Sequence, residues 1–283
     1  MLRQRVLTAI ALLALLLPAA TWQSQWPFVA LTMVFVAFAV WEWAQLQHYS
    51  FRDSVAMALV WTVAAAVGWA LLQHGALGLL QTPVVVLLGW SAVCLVWALV
   101  LSRVLRQGPA GWARLPRGWR MAMGCIVLGA SWVAVVDLHS RGLGVLLGAL
   151  GTVWLSDIGA YFGGRLLGRR KLAPQISPAK SWEGVWAGAA CAGVFAAAMT
   201  ISGVGLYAAI ATQIGWLAVM GLCVGIVAYG VAGDLFESVM KRSAGVKDSS
   251  GLLPGHGGVL DRLDALLPTM PFAMLVLSLS EVI

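Results

Sequence analysis

Thr82-Pro83-Val84-Val85-Val86-Leu87-Leu88-Gly89-Trp90-Ser91-Ala92-Val93-Cys94-Leu95-Val96-Trp97-Ala98-Leu99-Val100-Leu101-Ser102 runs for 21 residues without a charge. The hydrocarbon core of a bilayer requires roughly 20 apolar residues in helical conformation, so this stretch reads as a membrane span. In lipid every N–H and C=O must find its partner within the segment, and a run this long and evenly apolar does not suit a barrel strand. Comparable stretches lie on both sides, at 5–22, 27–45 and 54–73, then at 119–137, 142–163, 182–203, 211–233 and 264–281. The expectation is an all-α polytopic integral membrane protein with about nine transmembrane helices. Composition agrees, with 61% hydrophobic and only 10% charged residues in 283, against about 25% charged in a soluble domain.

The net charge of +7 invites a nucleic-acid reading, and the placement of the charges excludes it. One set of junctions receives Arg3, Arg5, Arg52, Arg103, Arg106, Arg114, Arg117 and Arg120. The same side receives Arg165, Arg169, Arg170, Lys171, Lys180, Lys241, Arg242, Lys247 and Arg262, which makes 17 of the 18 basic residues. Only Arg141 falls on the other side. The positive-inside rule makes the rich side cytoplasmic, with the N-terminus inside and the C-terminus outside. Such a face suits anionic head groups and anionic substrates. Arg3, Arg5, the run Val6–Leu17 and Pro18-Ala19-Ala20 also resemble a signal peptide; an uncleaved first span is the preferred reading.

Residues 1–150 read as N-terminal transmembrane helices with short links, and 151–283 as a C-terminal catalytic transmembrane region with its site on the cytoplasmic face. The junction 103–120 contains Gly108-Pro109-Ala110-Gly111 and Pro116 and is expected to be a loop. Trp22, Trp26, Trp41, Trp43, Trp112 and Trp119 lie near span ends and read as an interfacial belt. Cys94, Cys125, Cys191 and Cys223 stand singly in apolar stretches, as small buried hydrophobes.

Chemistry concentrates after residue 150. Asp157 sits in an apolar span, where an acid at a helix centre costs about 2.5–3.5 kcal/mol. In Gly233-Asp234-Leu235-Phe236-Glu237-Ser238, Asp234 and Ser238 are four apart and share a helix face. Asp261 and Asp264 are three apart and do the same. Three carboxylates and a hydroxyl are the hard oxygen donors that suit Mg²⁺. Between them run Lys241-Arg242, Lys247-Asp248 and Pro254-Gly255-His256-Gly257-Gly258, a glycine turn that can expose N–H groups to an anion just before a helix. Upstream, Lys180-Ser181 stands at another helix start. Metal-binding acids, phosphate-binding bases and a glycine turn together describe a metal–nucleotide site.

These segments resemble the signature of the phosphatidate cytidylyltransferase (CDP-diacylglycerol synthase) family: Ser238-x-Met240-Lys241-Arg242, Lys247-Asp248, His256-Gly257-Gly258 and Asp261-Arg262-x-Asp264. Asp157-x-Gly159-Ala160-Tyr161 and Ile176-Ser177-Pro178-x-Lys180-Ser181-x-Glu183-Gly184 resemble the same family's earlier segments. One departure is Ala179, where the family commonly has a lysine, which leaves Lys180 as the phosphate contact. The resemblance covers about residues 150–270. It implies transfer of CMP from CTP to phosphatidate, giving CDP-diacylglycerol and pyrophosphate for phospholipid biosynthesis, in a bacterial inner membrane. It also implies Mg²⁺, with or without a K⁺ companion, held by Asp234, Asp261 and Asp264. Lys180, Ser181, Lys241, Arg242 and Lys247 would neutralise CTP or the lipid phosphate, and Asp157, Ser238, Gly257 and Gly258 would line the site. His256 either donates to a phosphate or serves only the turn. CTP and phosphatidate are the expected partners, with a homodimer left open and nucleic acid excluded. A CTP-dependent lipid kinase and a membrane transporter are the alternatives; a transporter would place its charges mid-membrane on broken helices.

Overall fold

In the computed structural model, residues 2–75 and 78–283 are described, without the side chains of residues 2–7, 9 and 79. The expected positions of the Arg3 and Arg5 side chains therefore lie outside the described residues. The chain is an all-α polytopic membrane protein. Its elements are α1 (Leu2–Thr21), α2 (Trp26–Leu46), α3 (Phe51–Gln73), α4 (Pro83–Arg114), α5 (Arg117–Ser140) and α6 (Leu143–Leu167). A two-stranded antiparallel hairpin, β1 (Lys171–Ala173) and β2 (Ser177–Ser181), precedes α7 (Trp182–Ile201), α8 (Gly205–Ile214), α9 (Trp216–Ser243), α10 (Leu260–Leu263) and α11 (Leu266–Val282). Eight helical stretches among the described residues are long and apolar enough to cross a membrane, from Trp26–Leu46 to Leu260–Val282. The 20-residue α1 coincides with the first expected span.

Contacts between helices fall into two separate groups. In one, Thr8 Oγ1 donates to Pro254 O at 3.0 Å, Arg117 Nε donates to Gln47 O at 3.0 Å, and Lys180 pairs with Asp234. In the other, His139 Nε2 bonds Ala20 O at 2.8 Å and Arg141 pairs with Asp137 and Glu281.

Several local expectations are corrected. The junction 103–120 is largely helical: α4 runs to Arg114 and breaks only at Gly108, whose φ of 62° supplies the turn ahead of Pro109. Proline then restarts the helix, where its missing N–H costs nothing. The span expected at 211–233 divides at Gly215 (φ 88°) into α8 and α9. Trp43 and Trp112 are not in a belt. Both are fully buried, and together with Trp97 they pack around Phe236 at centroid distances of 5.3–6.0 Å. Trp22, Trp26 and Trp119 are exposed, as a belt requires. Cys191 is exposed on α7, and all four cysteines are free.

Candidate active site

Small residues bring α6 and α7 together. A Cβ on Gly188 would lie 2.5 Å from Ser156 O, and one on Gly184 would lie 2.8 Å from Ala160 O, so the two backbones meet with no side-chain layer between them. The β-hairpin closes the top of this pair. Glu183, in the first turn of α7, accepts from the N–H groups of Arg169 at 3.0 Å and Arg170 at 3.1 Å. Ser181 caps α7, its Oγ accepting from Gly184 N at 3.3 Å. Lys180 is thereby delivered to α9, with Nζ 2.5 Å from Asp234 Oδ2. Asp157, open to the surface on α6, lies in the field of the same Lys180 and Asp234.

On α9, Ser238 Oγ donates to Asp234 Oδ1 at 3.5 Å. One turn on, Lys241 Nζ stands 2.5 Å from both Glu237 Oε2 and Asp261 Oδ1, a cation enclosed by two buried carboxylates from two elements. Asp261 Oδ2 accepts from Ser249 N at 2.9 Å and Gly258 N at 2.7 Å, and Ser249 Oγ, 2.9 Å away, shares its single proton between this oxygen and Glu42, which folds the glycine loop back onto its own carboxylate. A second carboxylate seals that loop from the far side. Glu42, completely buried on α2, takes Ser250 Oγ (2.5 Å) and Val259 N (2.9 Å) on Oε1, and Ser249 Oγ (3.0 Å) and Leu260 N (2.6 Å) on Oε2. Gly258 has no room for a side chain, because a Cβ would run into Ser249 Oγ and come within 2.5 Å of Glu42 Oε1.

The expected residues therefore separate by position. Lys180, Asp234, Ser238, Asp157 and Asp264 face one region; Asp264 feels the charges of Asp234, Lys180 and Lys241. Lys241, Asp261 and Gly258 form the adjoining frame. Ser181 is buried as a helix cap, while Arg242 and Lys247 are exposed, Arg242 Nη1 donating to Val246 O at 3.1 Å. The main chain of His256 closes a turn, its N–H donating to Leu253 O at 2.8 Å and its carbonyl accepting from Arg262 Nη2 at 2.5 Å. Gly257, at φ 82°, makes that turn accessible to the backbone.

The donor set fits a hard cation. Asp264 Oδ1 accepts from Ala265 N at 2.7 Å, its Oδ2 carries no hydrogen bond among the described residues, and Asp261 Oδ1 meets only Lys241. Among the described residues no three His, Cys, Asp or Glu side chains converge at ligand spacing, so Asp234, Asp261 and Asp264 do not form the three-carboxylate cluster expected from the sequence; Asp261 is held by Lys241 instead.

A family model described as "Cytidylyltransferase family" matches residues 3–280. The chain belongs to the cytidylyltransferase family. It is similar to the phosphatidate cytidylyltransferase of Pseudomonas aeruginosa, 39% identical over 98% of this chain and 97% of the relative. The phosphatidate cytidylyltransferase of Haemophilus influenzae is 34% identical over 96% and 97%. That of Mycobacterium bovis is 34% identical over 68% of this chain and 62% of the relative.

Two acids of this candidate site were not among the residues expected from the sequence. Glu42 stands in Trp41-Glu42-Trp43, where flanking tryptophans suggest an interface, yet a lone acid beside an apolar span was signal enough to ask for its partner. Glu237 is buried between better-marked residues, and its spacing to Lys241 (i, i+4) places both on one face of α9.

Proposed function

We propose that this protein transfers the CMP unit of CTP to phosphatidate, releasing pyrophosphate and leaving CDP-diacylglycerol in the membrane. The observation that carries this reading is the pairing of Lys180 with Asp234 and of Lys241 with Asp261 at one membrane face, in a chain similar along nearly its whole length to bacterial phosphatidate cytidylyltransferases.

A non-bridging oxygen of the phosphatidate phosphate attacks the α-phosphorus of CTP. A new P–O bond forms, the bond from the α-phosphorus to the bridging oxygen breaks, and its electron pair leaves with pyrophosphate. The attacking oxygen is already ionised at neutral pH, so no residue has to remove a proton. The obstacle is anion meeting anion, and positioning and charge neutralisation dominate. Lys180, partly exposed beside Asp234, meets the incoming phosphates, with exposed Arg242 and Lys247 at the rim. Lys241, held between Glu237 and Asp261, fixes the geometry of the acids and contributes its charge from behind. Asp234, Asp261 and Asp264 would hold Mg²⁺, with K⁺ as a companion; when bound, the metal would supply charge neutralisation on the phosphates. The site faces the cytoplasm of a bacterial inner membrane, and the lipid enters sideways with its acyl chains left in the bilayer.

Purified protein is given phosphatidate and CTP labelled with ³²P at either the α or the γ position. The α label is expected in the lipid and the γ label in pyrophosphate. If the γ label follows the lipid, with a lipid alcohol as the better acceptor, the protein is a lipid kinase and this reading is overturned.

A further inference from the structure

Arg120 is a buried base that the proposed chemistry does not use. It is only 6% exposed, its Nε is sealed from solvent without a partner, and its guanidinium makes no hydrogen bond or ion pair among the described residues. Arg117, a like charge, and the Tyr49 phenol lie in its field. A buried charge without a partner is strongly unfavourable.

Three further features converge on the same corner. α5 begins at Arg117 with Pro116 as its cap residue, no side-chain cap and no acid in the first turn. The N–H groups of Arg117, Gly118 and Trp119 thus stand at the positive end of the helix dipole. Arg120 occupies the fourth helical position, from which a side chain leans back toward that first turn. Gln47 is completely buried, and neither its amide oxygen nor its nitrogen has a partner. Gln47 lies beside the first turn of α5: Arg117 Nε donates to its carbonyl at 3.0 Å, while Trp43, one turn earlier on α2, donates Nε1 to Arg120 O at 2.9 Å. Arg117 itself is occupied, bonding the carbonyls of Gln47 and His48 and lying 4.7 Å from the Tyr49 ring centroid. The open donors are therefore the Arg120 guanidinium, the Gln47 amide and the first N–H groups of α5.

We propose that this α2–α5 corner binds a phosphate-type oxyanion, at a site that shares no residue with the cluster around Lys180 and Asp234. A planar guanidinium matches two phosphate oxygens at once, and a helix N-terminus offers N–H groups to the same anion. The corner lies at the end of two spans, at head-group depth, where basic pockets between helices take anionic lipids. The oxyanion is either an anionic lipid head group or soluble phosphate.

The test uses the full chain in nanodiscs of phosphatidylcholine, with and without phosphatidylglycerol, and separately with inorganic phosphate against chloride at matched ionic strength. The thermal midpoint is read by tryptophan fluorescence. The wild type is expected to gain stability from phosphatidylglycerol or from phosphate, and the arm that responds names the source. Arg120→Met should lose the gain, with an apparent affinity at least about tenfold weaker, and Gln47→Met should reduce it. Lys180→Met should keep it, which separates this corner from the active site. Arg120→Lys retains the charge without the planar fork and serves if the methionine variant does not fold; its gain should also fall. No gain in either arm for the wild type, or an undiminished gain in the Arg120 variants, overturns the proposal.

Discussion

Replacing Glu42 by glutamine tests whether one buried carboxylate holds the glycine loop. Each Glu42 oxygen accepts from one serine hydroxyl and one backbone N–H, Ser250 and Val259 on one side, Ser249 and Leu260 on the other. A glutamine can turn its NH₂ to either side, and the hydroxyl there rotates to accept. The backbone N–H of Val259 or Leu260 has no such freedom and faces another donor. Losing a bond to a charged acceptor costs about 1.5–3 kcal/mol, and leaving a buried N–H unsatisfied about 1–3 kcal/mol. Together these weaken the ordered loop by about 2.5–6 kcal/mol, roughly two to four decades at about 1.4 kcal/mol each. The loop ends on Gly258 and Asp261, so the loss should appear in the KM for CTP and in faster proteolysis between 249 and 258, with the helices still folded. A KM within about threefold of wild type and an unchanged cleavage rate would refute the argument, because a loss that small is below the value of a single such bond.

Asp264→Asn should lower turnover at least about 100-fold by removing charge from the proposed metal–phosphate site, measured with the α-labelled nucleotide; near-normal activity at ordinary Mg²⁺ removes Asp264 from the site. Gly258→Ala forces a methyl toward Glu42 Oε1 at 2.5 Å and should cost about 1–3 kcal/mol as overpacking, read as a lowered thermal midpoint together with lost turnover. Single cysteines placed near Gly251, on a background lacking the four native thiols, should resist an impermeant thiol reagent in intact cells; strong labelling from outside reverses the assigned orientation. Chelation with EDTA should abolish activity and excess Mg²⁺ should restore it; full activity in the chelator excludes a dissociable divalent ion.

The spans were legible because lipid imposes one rule on the backbone. The motif between Asp234 and Asp264 was legible as a set of residues, but not as an arrangement. Lys241 looks like a free phosphate contact in sequence, and only the approach of α9 to α10 shows it enclosed by Glu237 and Asp261. Ser181 looks like a ligand in sequence, and the fold adds that its Oγ caps α7. Trp43 and Trp112 sit where a belt residue would sit, yet Phe236, far along the chain, draws them inward. Glu42 was the least legible of all, since its partners come more than 200 residues later and no local pattern announces them.

That separation has a consequence for how the protein is made. At roughly 5–20 residues per second, Glu42 leaves the ribosome about 10–40 s before Val259 and Leu260, the amides that will bind it, 217 and 218 residues away. During that interval α2 has entered the membrane while its acid has no permanent partner. The groups that reach it at last are N–H and O–H donors from Ser249, Ser250, Val259 and Leu260, with no counter-charge among them. The end of α2 and the glycine loop therefore attain their final hydrogen bonding together, after nearly all of the chain has been made.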